Sequence, residues 1–486
     1  MDSSVTVSLL PVQLSLIHIP RSRLRQLTTP VIHQILQNSP TFLNLTCNEL
    51  ELTIFAEAGT IDEFHAIARR DQLKQRARSG SGSSRKSLSD SRSFEPIEIS
   101  DENWSVLQID SHSDPVDNSG ARVNELSAPL AAAGISILYQ SSYMSDFIFV
   151  KRSRLGEVMA LFEAAGFDFY STDSTSPPVL TRSRTSSTHS SVDSVRDKSH
   201  SPSSGDVCIL SPDLTCVGLE DDNVDHWSLK IIKLVAFPDL IPIPGHSSPS
   251  IFSPSSSTDS FSNSEEDESL SQSMSSLSSA DQPDAPLPKP ISNHFTIPGP
   301  LSPLSPITAP EPHPLSDEPQ SYSNATSCTL RVPFFSLTRT AEGSSLTTDA
   351  ELLAALFPPS DRYMIICGNE LEAADRRIAR ARQKKRERWA LERIEEENGC
   401  SNGIDPSEEE ESTGSDQEDE SEDTTLRCLQ IDLRKFGLDK HGLVNRFSRV
   451  LDENCINHMY SSSYKTANLL VGKKHALRAQ HLLKAC

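Results

Sequence analysis

Two stretches far apart in the chain constrain its fold more than any other feature. Residues 126–150 read LSAPLAAAGISILYQSSYMSDFIFV, and residues 447–471 read FSRVLDENCINHMYSSSYKTANLLV. At a constant offset of 321 residues they match without a gap at Ile135/Ile456, Tyr139/Tyr460, Ser141/Ser462, Ser142/Ser463, Tyr143/Tyr464 and Val150/Val471. The first copy reads as the end of an amphipathic helix, a break at Gly134, a strand, a polar corner and a second strand. A gapless match that includes the corner points to internal duplication.

The surrounding order is β-α-β-β-α-β in both copies, the split-βαβ or ferredoxin-like pattern. Around the first copy the strand at 104–109 precedes a helix near 121–133, strands at 135–140 and 146–150, a helix at 155–165 and a short edge at 167–170. Around the second, strand 426–433, helix 442–453, strands 456–461 and 468–471 and helix 475–483 repeat it. A fainter echo links FLNLT (42–46) to FFSLT (334–338), so the first quarter is duplicated as well. Modules 1 and 3 are alike, and modules 2 and 4 are alike.

The expected class is α+β, with four βαββαβ modules in two tandem pairs. Module 1 spans 1–72, with 5–19 read as one strand, 23–36 as a helix and 42–45 with 49–55 as a hairpin. There Leu50, Leu52 and Ile54 alternate with Glu49, Glu51 and Thr53. A basic Gly/Ser-rich linker (73–92) leads to module 2 (93–170). Module 3 is split into 207–246 and 327–369, with a strand expected at 229–237. A charged helix (370–398), an acidic linker (399–425) and module 4 (426–486) follow. The stretches 171–206 and 247–326 are dominated by Ser, Thr and Pro and are expected to stay disordered, because they cannot bury enough apolar surface to fold. They carry Ser-Pro pairs at Ser201, Ser211, Ser248, Ser253, Ser302 and Ser305 and a basic-flanked Ser186, which suit phosphorylation.

Composition narrows the function. A net charge of −22 argues against general nucleic-acid affinity, which needs clustered cations to displace counterions. The local exception is 376–388, read either as a nuclear-import or nucleic-acid patch or, the favoured reading, as a solvated helix. Nine cysteines without a CxxC, and no signal-peptide pattern or long apolar run, fit reduced thiols in the cytoplasm and no membrane contact. No GxSxG, P-loop, HExxH or GxGxxG motif occurs, and the 14 histidines lack metal-ligand spacing. The chain therefore reads as a non-enzyme without metal or cofactor. His441, at a helix start, is read as a loop residue rather than a base.

What the duplicated motif offers is binding. The SSYMSD corner supplies backbone groups and hydroxyls. The loop GLDKHGLV (437–444) runs through Gly437 and Gly442 into a helix N-terminus, whose free N–H groups suit a carboxylate. Together they can hold the zwitterionic end of an amino acid; equally, the serines and glycines can serve only the turns themselves.

These residues resemble a family. Ser136-Ile137-Leu138 followed by Ser141-Ser142-Tyr143-x-x-Asp146-Phe147-Ile148-x-Val150, together with FFSLTRTAEGSSLTTDAELLAALFP (334–358) and GLDKHGLV, is similar to the cytosolic arginine sensor (CASTOR) family. The resemblance implies four tandem ACT modules, with an amino-acid pocket between modules 2 and 4 at Ser136, Ile137, Gly437, Ser463 and Tyr464; Lys440 and Gly442 of the same loop complete the candidate ligand-binding set. It places a partner-binding corner at Tyr143, Met144 and Asp146, and Met144 departs from the polar residue usual there. It also implies nutrient-sensing signalling to the target-of-rapamycin kinase (TORC1) through a GATOR-like complex, and it is compatible with a homodimer.

Two departures bear on the ligand. Lys440 stands where the sensors carry an acidic residue, and Ala467 where they carry an aspartate. Those carboxylates are natural partners for a guanidinium, and their loss should cost on the order of 2–5 kcal/mol of selectivity. The expected ligand is a neutral or acidic amino acid, not arginine. Two other roles compete: a ligand-free interaction scaffold, and a regulatory subunit of an amino-acid biosynthetic enzyme.

Overall fold

The structure, a computed structural model, describes residues 5–79, 94–111, 119–166, 168–170, 179–182, 207–242, 332–366, 368–397 and 425–486. The acidic tract 408–423, most of the Ser/Pro-rich stretches and every candidate phosphorylation site except Ser211 lie outside them.

In chain order the first run is β1 (Val5–Leu9), β2 (Leu14–Pro20), a 3-10 turn (Arg21–Leu27), α1 (Thr28–Ile35), β3 (Phe42–Cys47), β4 (Glu51–Glu57), α2 (Asp62–Ser79) and β5 (Glu98–Ile99). The second is β6 (Trp104–Ser111), α3 (Ser119–Ala132), β7 (Ile137–Ser141), β8 (Asp146–Lys151), α4 (Leu155–Ala164), β9 (Asp168–Tyr170) and β10 (Val179–Arg182). The third is β11 (Val207–Ile209), β12 (Leu214–Leu219), α5 (Val224–Ala236), β13 (Phe335–Thr340), β14 (Gly343–Asp349), α6 (Ala350–Leu356), β15 (Ile365–Ile366) and α7 (Glu372–Glu397). The last is β16 (Leu426–Asp432), α8 (Leu443–Glu453), β17 (His458–Ser462), β18 (Thr466–Gly472) and α9 (Ala476–Lys484).

Pairing follows one plan. Module 1 orders its strands β3-β4-β2-β5 and module 3 orders them β13-β14-β12-β15, all antiparallel. Module 2 has β7-β8-β6-β1 and module 4 has β17-β18-β16-β11. The fourth strand of modules 2 and 4 thus comes from the chain ahead of modules 1 and 3. Edge strands then meet across the duplication. In β3 against β13, Leu45 stands opposite Leu337, its own counterpart in the echoed motif. In β7 against β17, Gln140 stands opposite Ser461, again 321 residues apart. Equivalent residues facing one another is what a two-fold axis between copies requires. Bridges at Leu14–Trp104 and Leu214–Leu426 join the sheets into one barrel-like array.

The strands are buried on both faces, which reveals the layers. In β8, Ile148 and Val150 pack with the helices, whereas Phe147 and Phe149 pack with Phe42, Phe55 and Trp104 of the opposing sheet. Phe55 and Phe149 stack with centroids 4.0 Å apart. Each such buried side chain contributes about 1.5–3 kcal/mol. On the outer faces α3 lies against α8, where Asn445 Nδ2 donates to its counterpart Asn124 Oδ1 at 2.9 Å.

Four expectations differ. The run 5–19 splits near Pro11, and β1 joins β6 of module 2 instead of continuing β2. That leaves β9 separated from β6 by β1 and β10, and paired among the described residues only to β10. The segment expected as a strand at 229–237 is α5, because Trp227, Ile231, Leu234 and Val235 share one buried face at helical spacing. The linker begins later than expected, since α2 runs to Ser79. Strand β10 lies inside a stretch expected to be unstructured, where Val179, Leu180 and Thr181 supply the β-favouring run. Among the described residues no helix is long and apolar enough to cross a membrane.

The contact between modules 2 and 4 is tight enough to test at Gly120 in α3. A Cβ there would stand 2.5 Å from His458 Nδ1 and 3.2 Å from the His458 backbone N, and that ring is buried. Helix propensity alone would make Gly120→Ala stabilising by about 1 kcal/mol. The close approach reverses the sign, with an expected loss of about 1–3 kcal/mol. A urea-unfolding midpoint that rises in the variant would refute this packing.

Candidate functional site

A buried, densely hydrogen-bonded polar cluster forms where the module 4 corner meets module 1. Ser463 is fully buried, and its hydroxyl donates to Glu51 Oε1 at 2.6 Å. The Lys465 backbone N–H donates to the same oxygen at 2.8 Å, and the Tyr464 N–H to Thr53 Oγ1 at 2.9 Å. His18 Nε2 lies 3.3 Å from Glu51 Oε2, and its ring lies 5.3 Å from that of Tyr464. Lys440 reaches in from the loop after β16 and donates to the carbonyls of Ser463 at 3.2 Å and Tyr464 at 2.9 Å. Lys465 Nζ pairs with Glu98 Oε1 at 2.7 Å.

Desolvation dominates the charges here. Burial lowers the Lys440 ammonium to about 8, opposed by the attraction of Glu51. It raises the Glu51 carboxyl, against the bonds from Ser463 and Lys465. It lowers His18 to about 3, helped by Lys465, so the imidazole is neutral at physiological pH. Tyr464 is pushed up to about 12.

The loop that carries Lys440 is fixed by its glycines. Gly437 adopts φ 62° and ψ −149°, a region essentially closed to side chains. Gly442 caps α8 at φ 74°, where a Cβ would stand 3.9 Å from that of Ala131 in α3. Asp439 of the same loop pairs with Lys151 of β8 at 2.7 Å, and Leu438 packs beside the cluster that holds Leu138 and Phe149. Module 4's loop thus touches module 2 through Leu438 and a solvent-exposed ion pair.

The expected residues divide into two groups. Lys440, Ser463 and Tyr464 are joined by direct bonds. Ser136 is half-buried and Ile137 is buried in the helix-side core at the start of β7; among the described residues no hydrogen bond joins them to the Gly437–Gly442 loop. At the other corner Met144 is exposed, whereas Tyr143 lies along Gly218 of β12 and Asp146 is 1% exposed and paired with Arg122 at 2.7 Å. Sequence reasoning missed Glu51, Thr53 and His18, which alternate with apolar neighbours and so read as a solvent face. Only the burial of both sheet faces exposes their role.

Among the described residues no group of three or more metal-ligating side chains forms. Residues 99–164 match the ACT domain, a module that typically binds amino acids in regulatory roles. No curated protein matches the chain. Among solved structures, aspartate kinase from Synechocystis is 8% identical with a TM-score of 0.23, over 99% of this chain and 54% of that one. A Vibrio cholerae protein of unknown function is 19% identical with a TM-score of 0.20, over 33% and 90% of the two chains. Clostridium acetobutylicum aspartate kinase is 11% identical with a TM-score of 0.21, over 33% and 34%. The chain spans about half of the Synechocystis enzyme. The functional reading rests on the ACT match and on the residues of this chain.

The buried ammonium has a signature in pH. Lys440 falls from 10.5 to about 8 on folding, so the folded state binds fewer protons between those values and stability should rise with pH across that window. Relative to Lys440→Met, the native chain is expected to gain ~3 kcal/mol from pH 8 to 10.5. A difference in unfolding free energy that stays flat over that range would show that the ammonium is not buried.

Proposed function

We propose that this chain is a non-enzymatic regulatory protein built from four ACT-type modules, which binds an amino acid between modules 2 and 4 and conveys its occupancy to a protein partner. The observation that carries this reading is the contact of Leu438 and Asp439 with module 2, which sets the glycine loop of module 4 against module 2 just ahead of the α8 N-terminus. A carboxylate at that N-terminus would meet unsatisfied N–H groups. The neighbouring end of β7, at Ser136 and Ile137, supplies further backbone groups. Binding would then bias the packing of α3 on α8, a population shift between two arrangements. The resemblance to the arginine sensors extends this to a GATOR-like partner upstream of the target-of-rapamycin kinase.

Arginine is the wrong ligand for this loop. Lys440 brings a cation where a guanidinium would need an anion, and Ala467 is buried without a carboxylate to offer. A neutral or acidic amino acid fits better. One observation favours the scaffold reading instead: the Lys440 ammonium already donates to two carbonyls and needs no ligand to satisfy it.

Thermal denaturation of the full chain against each of the twenty amino acids separates the readings. A neutral or acidic amino acid at about 100 times its Kd is expected to stabilise the fold by about 2.7 kcal/mol, and arginine by nothing. Gly437→Ala, strained by about 1–3 kcal/mol at this backbone geometry, should abolish the shift. Stabilisation by arginine would refute the ligand assignment. No shift with any amino acid, while a partner still binds, would leave the scaffold.

A further inference from the structure

Modules 2 and 4 are built alike except at one sheet edge. In module 2 the fourth strand is β1, and its outer edge is covered by β10, with Leu180 opposite Val7 and Val179 opposite Ser8. In module 4 the fourth strand is β11, placed the same way. Val7 stands opposite Ile109 and Val207 opposite Ile431, while Leu9 stands opposite Leu107 and Ile209 opposite Leu429. The Leu10 N–H donates to the Val106 carbonyl, and the Leu210 N–H to the Cys428 carbonyl. Antiparallel strands alternate hydrogen-bonded with non-hydrogen-bonded pairs. Cys208 and Leu210 therefore turn their backbone groups to β16, and Val207 and Ile209 turn theirs outward. Among the described residues no strand pairs with that outer edge.

Helix α9 runs along the same edge. Gln480 Nε2 donates to the outward Val207 carbonyl at 3.1 Å, and Lys473, just ahead of the helix, pairs with Asp213, just past β11, at 3.2 Å. Residues three and four apart share a helix face, so Leu477 and Lys484 flank Gln480 in a row beside the edge. Leu477 is 69% exposed. Its counterpart in α4 is Gly156, and there β9 lies against the helix. The counterpart of Lys484 is Glu163, so the charge beside the edge is reversed. Helix α9 holds no acidic residue, whereas the strand that covers module 2 reads VLTR and ends on a cation. Module 2 thus sets a carboxylate beside a basic strand, and module 4 sets an ammonium and a bare leucine beside an open edge.

We propose that the outer edge of β11, with the Leu477–Lys484 face of α9, is a strand-addition site for an extended segment of a partner protein, apolar where it passes Leu477 and acidic where it passes Lys484. The incoming strand lies antiparallel to β11, as β10 lies on β1. Main-chain bonds to Val207 and Ile209 hold it, and the side chains of α9 select it. A second copy of this chain is the poorer occupant, because pairing β11 with β11 sets one acid-free α9 beside another. The site is separate from the amino-acid pocket and from the Tyr143–Asp146 corner, so its failure leaves those readings untouched.

The test is fluorescence anisotropy of the full chain with a short fluorescein-labelled peptide of alternating valine and glutamate, and with its valine–lysine analogue. Saturable binding of the glutamate peptide is expected, at least roughly tenfold tighter than that of the lysine peptide, although the net charge of −22 opposes it. Ile209→Pro removes an outward N–H and spares the bonds to β16, as proline does on an edge strand, and should abolish binding. Leu477→Asp changes an exposed side chain, leaves the fold intact and should weaken binding at least roughly tenfold; it decides the matter if the proline variant does not fold. In the free chain the Ile209 amide is expected to exchange freely with solvent. No saturable binding, equal binding of the two peptides, or undiminished binding by Leu477→Asp would each overturn the site. So would an Ile209 amide already protected in the free chain, or a dimer in sedimentation that Ile209→Pro dissociates, which would assign the edge to a second copy.

Discussion

Two hydrogen bonds from backbone N–H groups to serine hydroxyls join the halves of this chain. The Tyr139 N–H donates to Ser462 Oγ at 2.9 Å, and the Tyr460 N–H donates to Ser141 Oγ at 3.1 Å. The bonds are reciprocal, since Tyr139 and Tyr460 are counterparts, as are Ser141 and Ser462. Strands β7 and β17 share only one bridge, at Gln140 and Ser461, so their remaining edge N–H groups would be buried without partners. The serine hydroxyls stand in for the missing ladder carbonyls. A hydroxyl holds the strands at a wider spacing than a carbonyl ladder, and the tyrosine rings fill that gap edge to face, 6.3 Å apart.

That seam is polar through its depth, unlike the phenylalanine-rich packing on one side of it. Gln140 Oε1 accepts from Ser461 Oγ at 2.8 Å, Gln140 Nε2 donates to Ser336 Oγ at 3.2 Å, and Asn44 Nδ2 donates to Thr338 Oγ1 at 3.0 Å. Four modules converge there. An apolar seam would tolerate sliding between the sheets, whereas hydrogen-bonded groups accept only discrete arrangements. Phe55 on Phe149 then contributes cohesion without setting register.

Much of this was legible in the sequence, for identifiable reasons. The duplicated corner marked modules 2 and 4 as alike, whereas the meeting of their edges at Gln140 and Ser461 is seen only in the structure. The echo FLNLT/FFSLT likewise marked modules 1 and 3 as alike, and the pairing of β3 with β13 is seen only in the structure. Local signals failed where tertiary context decides. The segment LKIIKLVAF is rich in β-formers, yet Trp227 and Ile231 turn it into a helix against α1. Strand β1 carries nothing that says which sheet it joins. In β4, alternation of Leu52 and Ile54 with Glu51 and Thr53 describes a half-exposed strand as well as one buried between a helix layer and a second sheet. The pattern of hydrophobicity reports only one face, so Glu51 and His18 stayed hidden although they centre the buried cluster.

Divergence between the twin corners follows from the same constraint. After duplication, both corners had to cover the open edge of a neighbouring hairpin, and a charge placed there becomes part of the interior. One corner closed around Glu51 with Lys440 inside it, balancing desolvated charge against desolvated charge. The other has glycines at 218 and 343 and presents Asp110 and Glu342 at the rim of the opening. Gly218 could not regain a side chain without displacing Tyr143, whose ring lies 3.0 Å from where a Cβ would sit. With Tyr143 Cδ1 this close, a histidine at 218 would require the ring to move, whereas His18 and Tyr464 stand 5.3 Å apart in the closed corner. Asymmetry between nearly symmetric halves is thus locked in by packing, and it lets one chain hold a sealed joint and an open one on the same axis.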